Sequence, residues 1–188
     1  MAVDGHVGTG EVARAGLSDP APIVRVTALG ALERQGKLEV ADLAGALSDP
    51  EPSVRRRACE LAAGRPGPDL SSSLDDRDPS VAEMAAWALG ERGSSAAVPA
   101  LAAMASSRSG HQDPLCREAA VAALGAIGDS AGLPAVLEAL DDKPAIRRRA
   151  AVALAAFDGP EVEAALRRCL EDRDWQVRQV AEDLLAVD

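Results

Sequence analysis

Aromatic residues are almost absent from this chain. Its 188 residues include one Phe, two Trp and no Tyr, although 47% of the sequence is hydrophobic. Ala, Leu and Val supply most of that apolar content, so the core must form between elements that approach one another closely. Such a composition favours helices, because Ala has the highest helix propensity, whereas strands prefer aromatic and β-branched residues. We therefore expect an all-α protein.

Positive charge is also scarce. The chain has 20 basic residues against 30 acidic ones, a net charge of −10. An acidic protein repels phosphate backbones at long range, so we expect this chain to bind neither nucleic acid nor a membrane. A simpler interpretation of the negative charge is that it keeps a soluble protein monodisperse. Only Lys37 and Lys143 are lysines, a bias typical of a GC-rich genome, and we expect a bacterial source.

Cysteine is limited to Cys59, Cys116 and Cys169, an odd number of widely spaced residues, each within an apolar helical pattern. This usage favours buried thiols in a reducing compartment over disulfides. The first residues lack the basic and apolar regions of a signal peptide, and no apolar run approaches membrane-spanning length. We expect a cytoplasmic protein and favour a monomer.

Signals for catalysis are weak. His6 and His111 are the only histidines, and neither has the neighbours of a metal site or a catalytic triad. The glycines of "LGERG" and "IGDSAG" are predicted at helix ends, where Gly ends a helix without strain. Acidic pairs such as "LDD" and "LEDRD" recur from turn to turn, as a repeat feature would. We expect no catalytic residue, no metal and no cofactor.

One unit recurs six times along the chain. The copies can be aligned on one apolar residue, which recurs at intervals of 30, 27, 35, 30 and 31 residues. At the aligned positions around it, called columns below, the copies carry similar residues. In five copies proline stands two residues earlier, which suits the first helical position because proline lacks the N–H that would have no partner there. Positions are numbered from these origins, which are Val24, Val54, Val81, Cys116, Ile146 and Val177.

Each unit is predicted to contain a helix, an acidic turn and a second helix. Asp78, Asp113 and Asp174 are the expected N-caps of three second helices. Positions 0, +4, +7, +8 and +11 share one apolar face, which in the fifth copy consists of Ile146, Ala150, Ala153, Leu154 and Phe157. One hairpin cannot bury both of its apolar faces, so neighbouring units must stack.

The units fill the chain as a single domain, 1–188. The predicted repeats span approximately 8–35, 36–65, 66–92, 93–128, 129–158 and 159–188. The third has a short first helix near 67–74, and the fourth carries an insertion at 106–113.

Two stretches carry a resemblance to a known family. "IGDSAGLPAVLEALDDKPAIRRRAAVALAAF" (127–157) and "LGERGSSAAVPALAAM" (89–104) resemble HEAT repeats, specifically the short HEAT-like type also found in phycobilin lyase subunits. The resemblance implies a right-handed α-solenoid, an armadillo/HEAT-like superhelix whose second helices line a concave surface. It implies little about function, because this fold hosts scaffolds, adaptors, chromophore lyases and some DNA glycosylases.

Position +1 is arginine in five of the six repeats. Position −5, five residues before the origin, is aspartate in five of the six repeats. The arginine stem can pack at the flank of the apolar face while the guanidinium reaches an acidic turn in its own or the next repeat. We favour a structural ladder of ion pairs over ligand binding by this column. Its members are Asp19, Arg25, Asp49, Arg55, Asp76, Arg117, Asp141, Arg147, Asp172 and Arg178.

Positions +2 and +3 vary between repeats, as a surface that recognises a partner would. Position +2 points away from the core, and +6 and +9 share its side, so these columns should form an exposed ridge. An exposed Trp87 would be a good anchor for a partner, although it could equally pack between helices. Trp175 is expected to be a packing or end-cap residue. The candidate partner-binding residues are Arg56, Arg57, Glu83, Trp87, Glu118, Arg148 and Arg149.

The function we expect is that of a non-enzymatic interaction or scaffold module that binds a protein or peptide on the concave face. The arginine pairs at 56–57 and 148–149 favour an acidic partner, unless they are solvated or paired within a helix, as Arg56 with Glu60. The alternative is a bilin-type lyase-like subunit, which would need a thiol or base in the groove. A HEAT-like alkylpurine DNA glycosylase is less favoured, because it needs a basic, aromatic-lined groove.

Overall fold

Helices account for all the regular structure in the part of the chain that the structure describes. The computed structural model describes residues 7–186, where eleven α-helices are joined by turns and 3₁₀ segments and no strand occurs. The helices are α1 (Val7–Ala15), α2 (Pro22–Arg34), α3 (Val40–Leu47), α4 (Pro52–Ala62), α5 (Pro79–Glu91), α6 (Val98–Ala105), α7 (Pro114–Ile127), α8 (Leu133–Ala139), α9 (Pro144–Ala153), α10 (Pro160–Cys169) and α11 (Trp175–Leu185).

The helices follow one another as hairpins, α1 with α2, α3 with α4, α6 with α7, α8 with α9 and α10 with α11. The third repeat differs, because a 3₁₀ segment at Ser71–Asp75 stands where the sequence predicts a short first helix before α5. The predicted all-helical fold is confirmed. Within residues 7–186, no helix is both long and apolar enough to cross a membrane.

Each second helix begins where the sequence places its first turn. Five of them start at proline and the sixth, α11, starts at Trp175. The carboxylates of Asp113 and Asp174 accept hydrogen bonds from the backbone N–H of Leu115 at 2.9 Å and of Gln176 at 3.0 Å. These bonds satisfy donors that have no partner inside a helix, which is what sets the start of α7 and α11.

The chain divides into two compact units, Met1–Ala88 and Leu89–Asp188. The largest side chains fully buried in the first unit include Leu29, Leu32, Leu43, Val54, Leu70 and Val81. Those of the second include Leu101, Val121, Leu124, Ile146 and Leu154. The predicted core face of the fifth repeat, Ile146 to Phe157, is buried throughout. Val24 is the exception in its column, because it is 38% exposed whereas the other five origins are buried.

Two glycines allow helices of the second unit to approach closely. A Cβ on Gly90 would lie 2.9 Å from the Cα of Ala123, and one on Gly125 would lie 2.9 Å from the Cα of Ala153. Both glycines occupy position +9, which the sequence assigned to the exposed ridge, and Gly90 is the last residue but one of α5. That assignment is wrong for these two residues, because Gly90 packs against Ala123 and Gly125 packs against Ala153, whereas Ala155, at position +9 of the fifth repeat, is exposed as expected.

Candidate protein-interaction surface

An arginine at position +1 of one repeat binds an aspartate at the entrance to the next repeat. In the first unit, Nε and Nη2 of Arg25 donate to the carboxylate of Asp49, both at 2.7 Å, and Arg55 binds Asp76 in the same way at 2.7 and 2.8 Å. The remaining nitrogen, Nη1, donates to a backbone carbonyl of the arginine's own turn, Asp19 for Arg25 at 2.8 Å. One guanidinium therefore joins two repeats.

The second unit repeats this arrangement with a change of register. Arg147 binds Asp172 at 2.9 and 3.0 Å, but Arg117 binds Asp142 and not Asp141, which the sequence placed in the ladder. The Asp141 side chain is 74% exposed and lies 4.0 Å from Arg168. The backbone contact in the turn before α9 is shifted in the same direction, because Arg147 donates to the carbonyl of Asp142, five residues back, whereas Arg117 also donates to the carbonyl of His111, six residues back.

These contacts determine the charge state of the ladder. The hydrogen bonds from arginine hold the pKa values of Asp49, Asp76, Asp142 and Asp172 below their ordinary value, against the opposing effect of burial. The same bonds raise the pKa values of their arginine partners. Arg55, Arg117 and Arg147 are buried, so their guanidiniums are committed to neighbouring repeats.

The exceptions in the two columns occur in consecutive repeats, the third and the fourth. Ala82 replaces the arginine of the third repeat, and His111 replaces the aspartate that begins the fourth. Nδ1 of His111 accepts a hydrogen bond from the N–H of Asp113 at 3.1 Å, and its carbonyl accepts one from Arg117 at 2.8 Å. His111 thus supports the start of α7, while His6 lies outside the described residues. In the sixth repeat, Arg178 donates to the carbonyl of Asp172 at 2.7 Å.

Arg148 and Arg149 do not form the open basic patch that the sequence suggested. Nη1 of Arg148 donates to Asp174 at 3.2 Å and to Gln176 at 2.8 Å. Arg149 lies 3.5 Å from Glu118, which the sequence also assigned to partner binding. These contacts join helices of neighbouring repeats, so much of the basic charge at 148–149 is compensated within the second unit.

Arg56 and Arg57 are arranged differently. Arg56 is exposed, and no ion pair to it occurs among the residues described. Nη1 of Arg57 lies 2.8 Å from Glu60, so the intrahelical pair forms at a spacing of three residues and not, as the sequence suggested, between Arg56 and Glu60. This ion pair does not use Nη2 of Arg57.

A groove of roughly 770 Å³ runs between α2 and α4 in the first unit. Ile23, which is 70% exposed, and Val26 contribute an apolar wall, and Arg34, Arg56 and Arg57 contribute guanidiniums. We call it the α2–α4 groove; it is lined by Pro22, Ile23, Val26, Thr27, Gly30, Arg34, Ser53, Arg56, Arg57 and Glu60.

Sequence reasoning did not assign Ile23, Gly30 or Arg34 to a site. The repeat pattern could have placed Arg34 on the exposed ridge. Arg34 is at position +10, and around the helix axis this position lies between +6 and +3, which belong to that ridge. Gly30 occupies position +6. A Cβ there would lie 3.2 Å from Nη2 of Arg57 and 3.5 Å from Nη1 of Arg34.

Both tryptophans are exposed. Trp87 is 44% exposed, with Glu83 exposed on the same helix, so the interpretation of Trp87 as a residue packed between helices is wrong. Trp175 was expected to be a packing or an end-cap residue; its 64% exposure contradicts packing, and the end-cap role stays a prediction. As the first residue of α11, it projects from the helix terminus instead of filling the core.

The three cysteines are buried thiols. Burial raises the pKa of the Cys169 thiol, which disfavours the reactive thiolate. No group of three or more His, Cys, Asp or Glu side chains suited to a metal ion occurs in the described part of the chain.

Stacked helical hairpins joined by a repeated ion pair define a helical-repeat protein. The family model for HEAT repeats matches residues 40–110, 67–152 and 108–186, and the chain belongs to the HEAT-repeat family. This confirms the resemblance read from the sequence. No curated protein matches the chain.

Solved structures show the same fold. The complex of CpcE and CpcF of the phycocyanin lyase from Nostoc sp. PCC7120 is similar over 98% of this chain and 79% of that one, with 27% identity and a TM-score of 0.64. An engineered protein is similar over 95% of both chains, with 19% identity and a TM-score of 0.66. A designed armadillo repeat protein in complex with the peptide (KR)4 is similar over 95% of this chain and 98% of that one, with 16% identity and a TM-score of 0.67.

Proposed function

We propose that this chain is a non-catalytic interaction module that binds a segment of a partner protein in the α2–α4 groove. The observation that carries the proposal is the groove itself, which combines an exposed apolar wall with guanidiniums. Eight of its ten lining residues come from positions −1, +2, +3 and +6, where residue identity changes from repeat to repeat; the other two are Pro22, at the repeated proline position, and Arg34, at position +10. A surface built for stacking would instead repeat the same residues, as the arginine–aspartate ladder does.

The partner segment is acidic. The groove carries three guanidiniums and one carboxylate, Glu60, in a chain whose net charge is −10. Arg34 and Arg56 have no ion pair among the residues described, so a carboxylate could engage them without first displacing another carboxylate of the chain. The acidic remainder of the surface repels such a partner at long range, and affinity must come from short-range contacts in the groove.

The described residues support binding over catalysis. The cysteines are buried and lie outside the groove, and His111 is engaged at the start of α7. The groove lining contains no histidine or cysteine. A partner is therefore held by packing and charge, without transfer of a group.

Fluorescence anisotropy with two short labelled peptides tests this proposal. In one peptide Leu alternates with Glu, and in the other Leu alternates with Lys. We expect the acidic peptide to bind and the basic one not to bind, and we expect Arg56→Glu to abolish binding. Arg168→Glu is the matched control, because Arg168 is 59% exposed and lies outside the groove. Equal binding of both peptides, or full binding by Arg56→Glu, would show the proposal to be wrong.

A second candidate rests on the 27% identity with the phycocyanin lyase complex. A lyase-like subunit would need a thiol or a base in its groove, and the three cysteines are buried, so in this reading a tetrapyrrole would be held without a bond to a thiol of this chain. Absorption of visible light by protein produced in cells that make bilins would favour this function. Colourless protein from such cells would exclude stable bilin binding.

A further inference from the structure

We propose that the α2–α4 groove recognises an extended peptide segment in which an apolar side chain stands three residues from a carboxylate. The inference rests on the proposed function and adds the spacing of the two groups that the partner must carry. That spacing follows from the way the groove is divided along its length, with an exposed apolar wall at one end and two adjacent guanidiniums further along.

Helices α2 and α4 run in the same direction, so the groove follows both of their axes. Near the starts of the two helices, Arg25 of α2 binds Asp49, which precedes α4. Near their ends, Glu33 of α2 binds Arg65, which follows α4. A position along the groove can therefore be measured along α2, at a rise of about 1.5 Å per residue.

The apolar end of the groove lies at the first turn of α2. Ile23 is the second residue of that helix and is 70% exposed, and Val26 continues the same wall. An apolar side chain of a partner would cover this wall and remove its surface from water, which favours binding.

The basic part of the groove lies over Gly30. Gly30 is buried, and the point that its Cβ would occupy lies 3.2 Å from Nη2 of Arg57 and 3.5 Å from Nη1 of Arg34. The ends of these two arginines therefore cover Gly30 and line the groove side by side. Arg57 is paired with Glu60, whereas Arg34 is exposed and has no ion pair within the described part of the chain. Because two like charges so close together repel each other, a carboxylate that lies against their solvent-facing side is attracted by both.

The two features determine how far apart the partner must present its groups. Ile23 and Gly30 lie on the same face of α2, two helical turns apart, which is about 10 Å along the axis. In the polyproline II conformation a chain rises about 3.1 Å per residue with three residues per turn, so residues three apart point to the same side at about 9 Å. An extended segment with this spacing therefore places its apolar side chain on Ile23 and its carboxylate on the two guanidiniums.

Other conformations match the groove at other spacings. Side chains on one side of a β-strand are separated by about 7 or 13 Å, at two or four residues, and neither distance fits. A helix would need seven residues for the same distance and would have to order more of the partner chain, at a greater cost in conformational entropy. The spacing at which binding is tightest therefore reports the conformation of the bound segment.

A series of peptides with blocked ends tests the spacing. Each peptide carries one Leu and one Glu among Ser spacers, with the Glu two, three, four or seven residues from the Leu, and each spacing is made in both orders. NMR titration of labelled protein measures the affinities and should show shifts of the Ile23 methyl and Arg34 Nε–H signals. We expect one order of the three-residue spacing to bind about tenfold more tightly than every other spacing. Tightest binding at another spacing, or equal affinity throughout the series, would overturn the inference.

Two variants show which group of the protein reads the carboxylate. In Arg34→Gln the three-residue spacing should lose its advantage over the others. Arg168→Gln is the matched control and should keep that advantage, because Arg168 is 59% exposed and lies outside the groove. Both side chains are exposed, so both variants should melt as the wild type does. An unchanged preference for the three-residue spacing in Arg34→Gln would mean that the carboxylate is bound elsewhere, contrary to the inference.

The outcomes separate this inference from the proposed function. The alternating Leu–Glu peptide contains the three-residue spacing together with others, so it should bind in either case. If it binds while the single-Glu peptides show no preferred spacing, the spacing rule is wrong and the acidic groove stands. If the alternating peptide does not bind, both are wrong.

Discussion

Arg117 and Asp142 form a two-point contact across 25 positions of the sequence, with Nε 2.8 Å from Oδ2 and Nη2 3.0 Å from Oδ1. The adjacent carboxylate, Asp141, is exposed and takes no part in this contact. The same type of contact joins Arg25 to Asp49, Arg55 to Asp76 and Arg147 to Asp172. Stacking of these repeats therefore depends on one particular carboxylate at each turn.

Substitution of the two neighbouring aspartates should have very different effects. Asp142→Ala leaves the buried guanidinium of Arg117 without its counter-charge, and we expect the free energy of unfolding to fall by about 2–4 kcal/mol. Asp141→Ala removes only an exposed side chain 4.0 Å from Arg168, so stability should be nearly unchanged. Urea unfolding followed by circular dichroism measures both, and similar losses in the two variants would contradict the pairing.

Stability should decline in acid. The pKa values of Asp49, Asp76, Asp142 and Asp172 are lowered from 3.8 in the folded state, chiefly by the hydrogen bonds from arginine. A lowered folded-state pKa means that the unfolded chain takes up these protons first. The stabilisation is therefore complete above the unfolded-state value and is lost as the pH falls through the folded-state values. Melting temperatures measured from neutral pH to below pH 3.8 would show this decline.

An Arg147→Met variant measures how much the Arg147–Asp172 pair contributes to the loss of stability in acid. Met retains apolar packing but provides no hydrogen bond, so the pKa of Asp172 should rise toward its ordinary value. The variant should be less stable than the wild type at neutral pH, and the difference should narrow as the pH falls. A difference that is constant over the whole pH range would mean that Arg147 acts by packing alone.

The two interior glycines of helices α3 and α7 should respond oppositely to alanine. Gly125→Ala places a methyl group 2.7 Å from the Cβ and 2.9 Å from the Cα of Ala153, and we expect a loss of about 1–3 kcal/mol. Gly45→Ala meets no neighbour and should stabilise by about 0.5–1 kcal/mol through helix propensity. Thermal unfolding distinguishes the two, and stabilisation by both would show that α7 and α9 do not approach closely.

Tryptophan fluorescence should report exposed side chains in the native state. Trp87 and Trp175 are 44% and 64% exposed, so acrylamide should quench native protein efficiently and unfolding should shift the emission only slightly. Single-tryptophan variants, Trp87→Phe and Trp175→Phe, assign the signals. Blue-shifted, quencher-resistant emission from Trp175→Phe, where only Trp87 remains, would show that Trp87 is packed.

Trp87 can also be tested as an anchor for a partner protein. Removal of an exposed aromatic side chain costs little stability, so Trp87→Ala should keep its helical content. If the side chain anchors a partner, as an exposed tryptophan at an interface often does, the affinity for that partner should fall by at least tenfold. Unchanged affinity measured by calorimetry would restrict the binding surface to the α2–α4 groove.

The sequence by itself determined the fold class and the repeat. Helix starts at proline, the apolar columns and the arginine at position +1 follow from local chemistry, because each depends on residues within one helix or turn. The fifth repeat shows this most clearly, since its predicted core face, from Ile146 to Phe157, is buried throughout. The structural family could be recognised for the same reason.

Only the tertiary structure decided which side chains are already engaged. The triplets at 55–57 and 147–149 read alike, yet Arg148 binds Asp174 and Arg149 lies near Glu118, both in neighbouring repeats. By contrast, Arg57 pairs with Glu60 of its own helix, and Arg56 has no ion pair among the described residues. Asp141 and Asp142 were likewise indistinguishable from the sequence. A one-residue difference in a turn separates the buried, paired carboxylate of Asp142 from the exposed one of Asp141, because pairing requires the guanidinium of another repeat within hydrogen-bond distance.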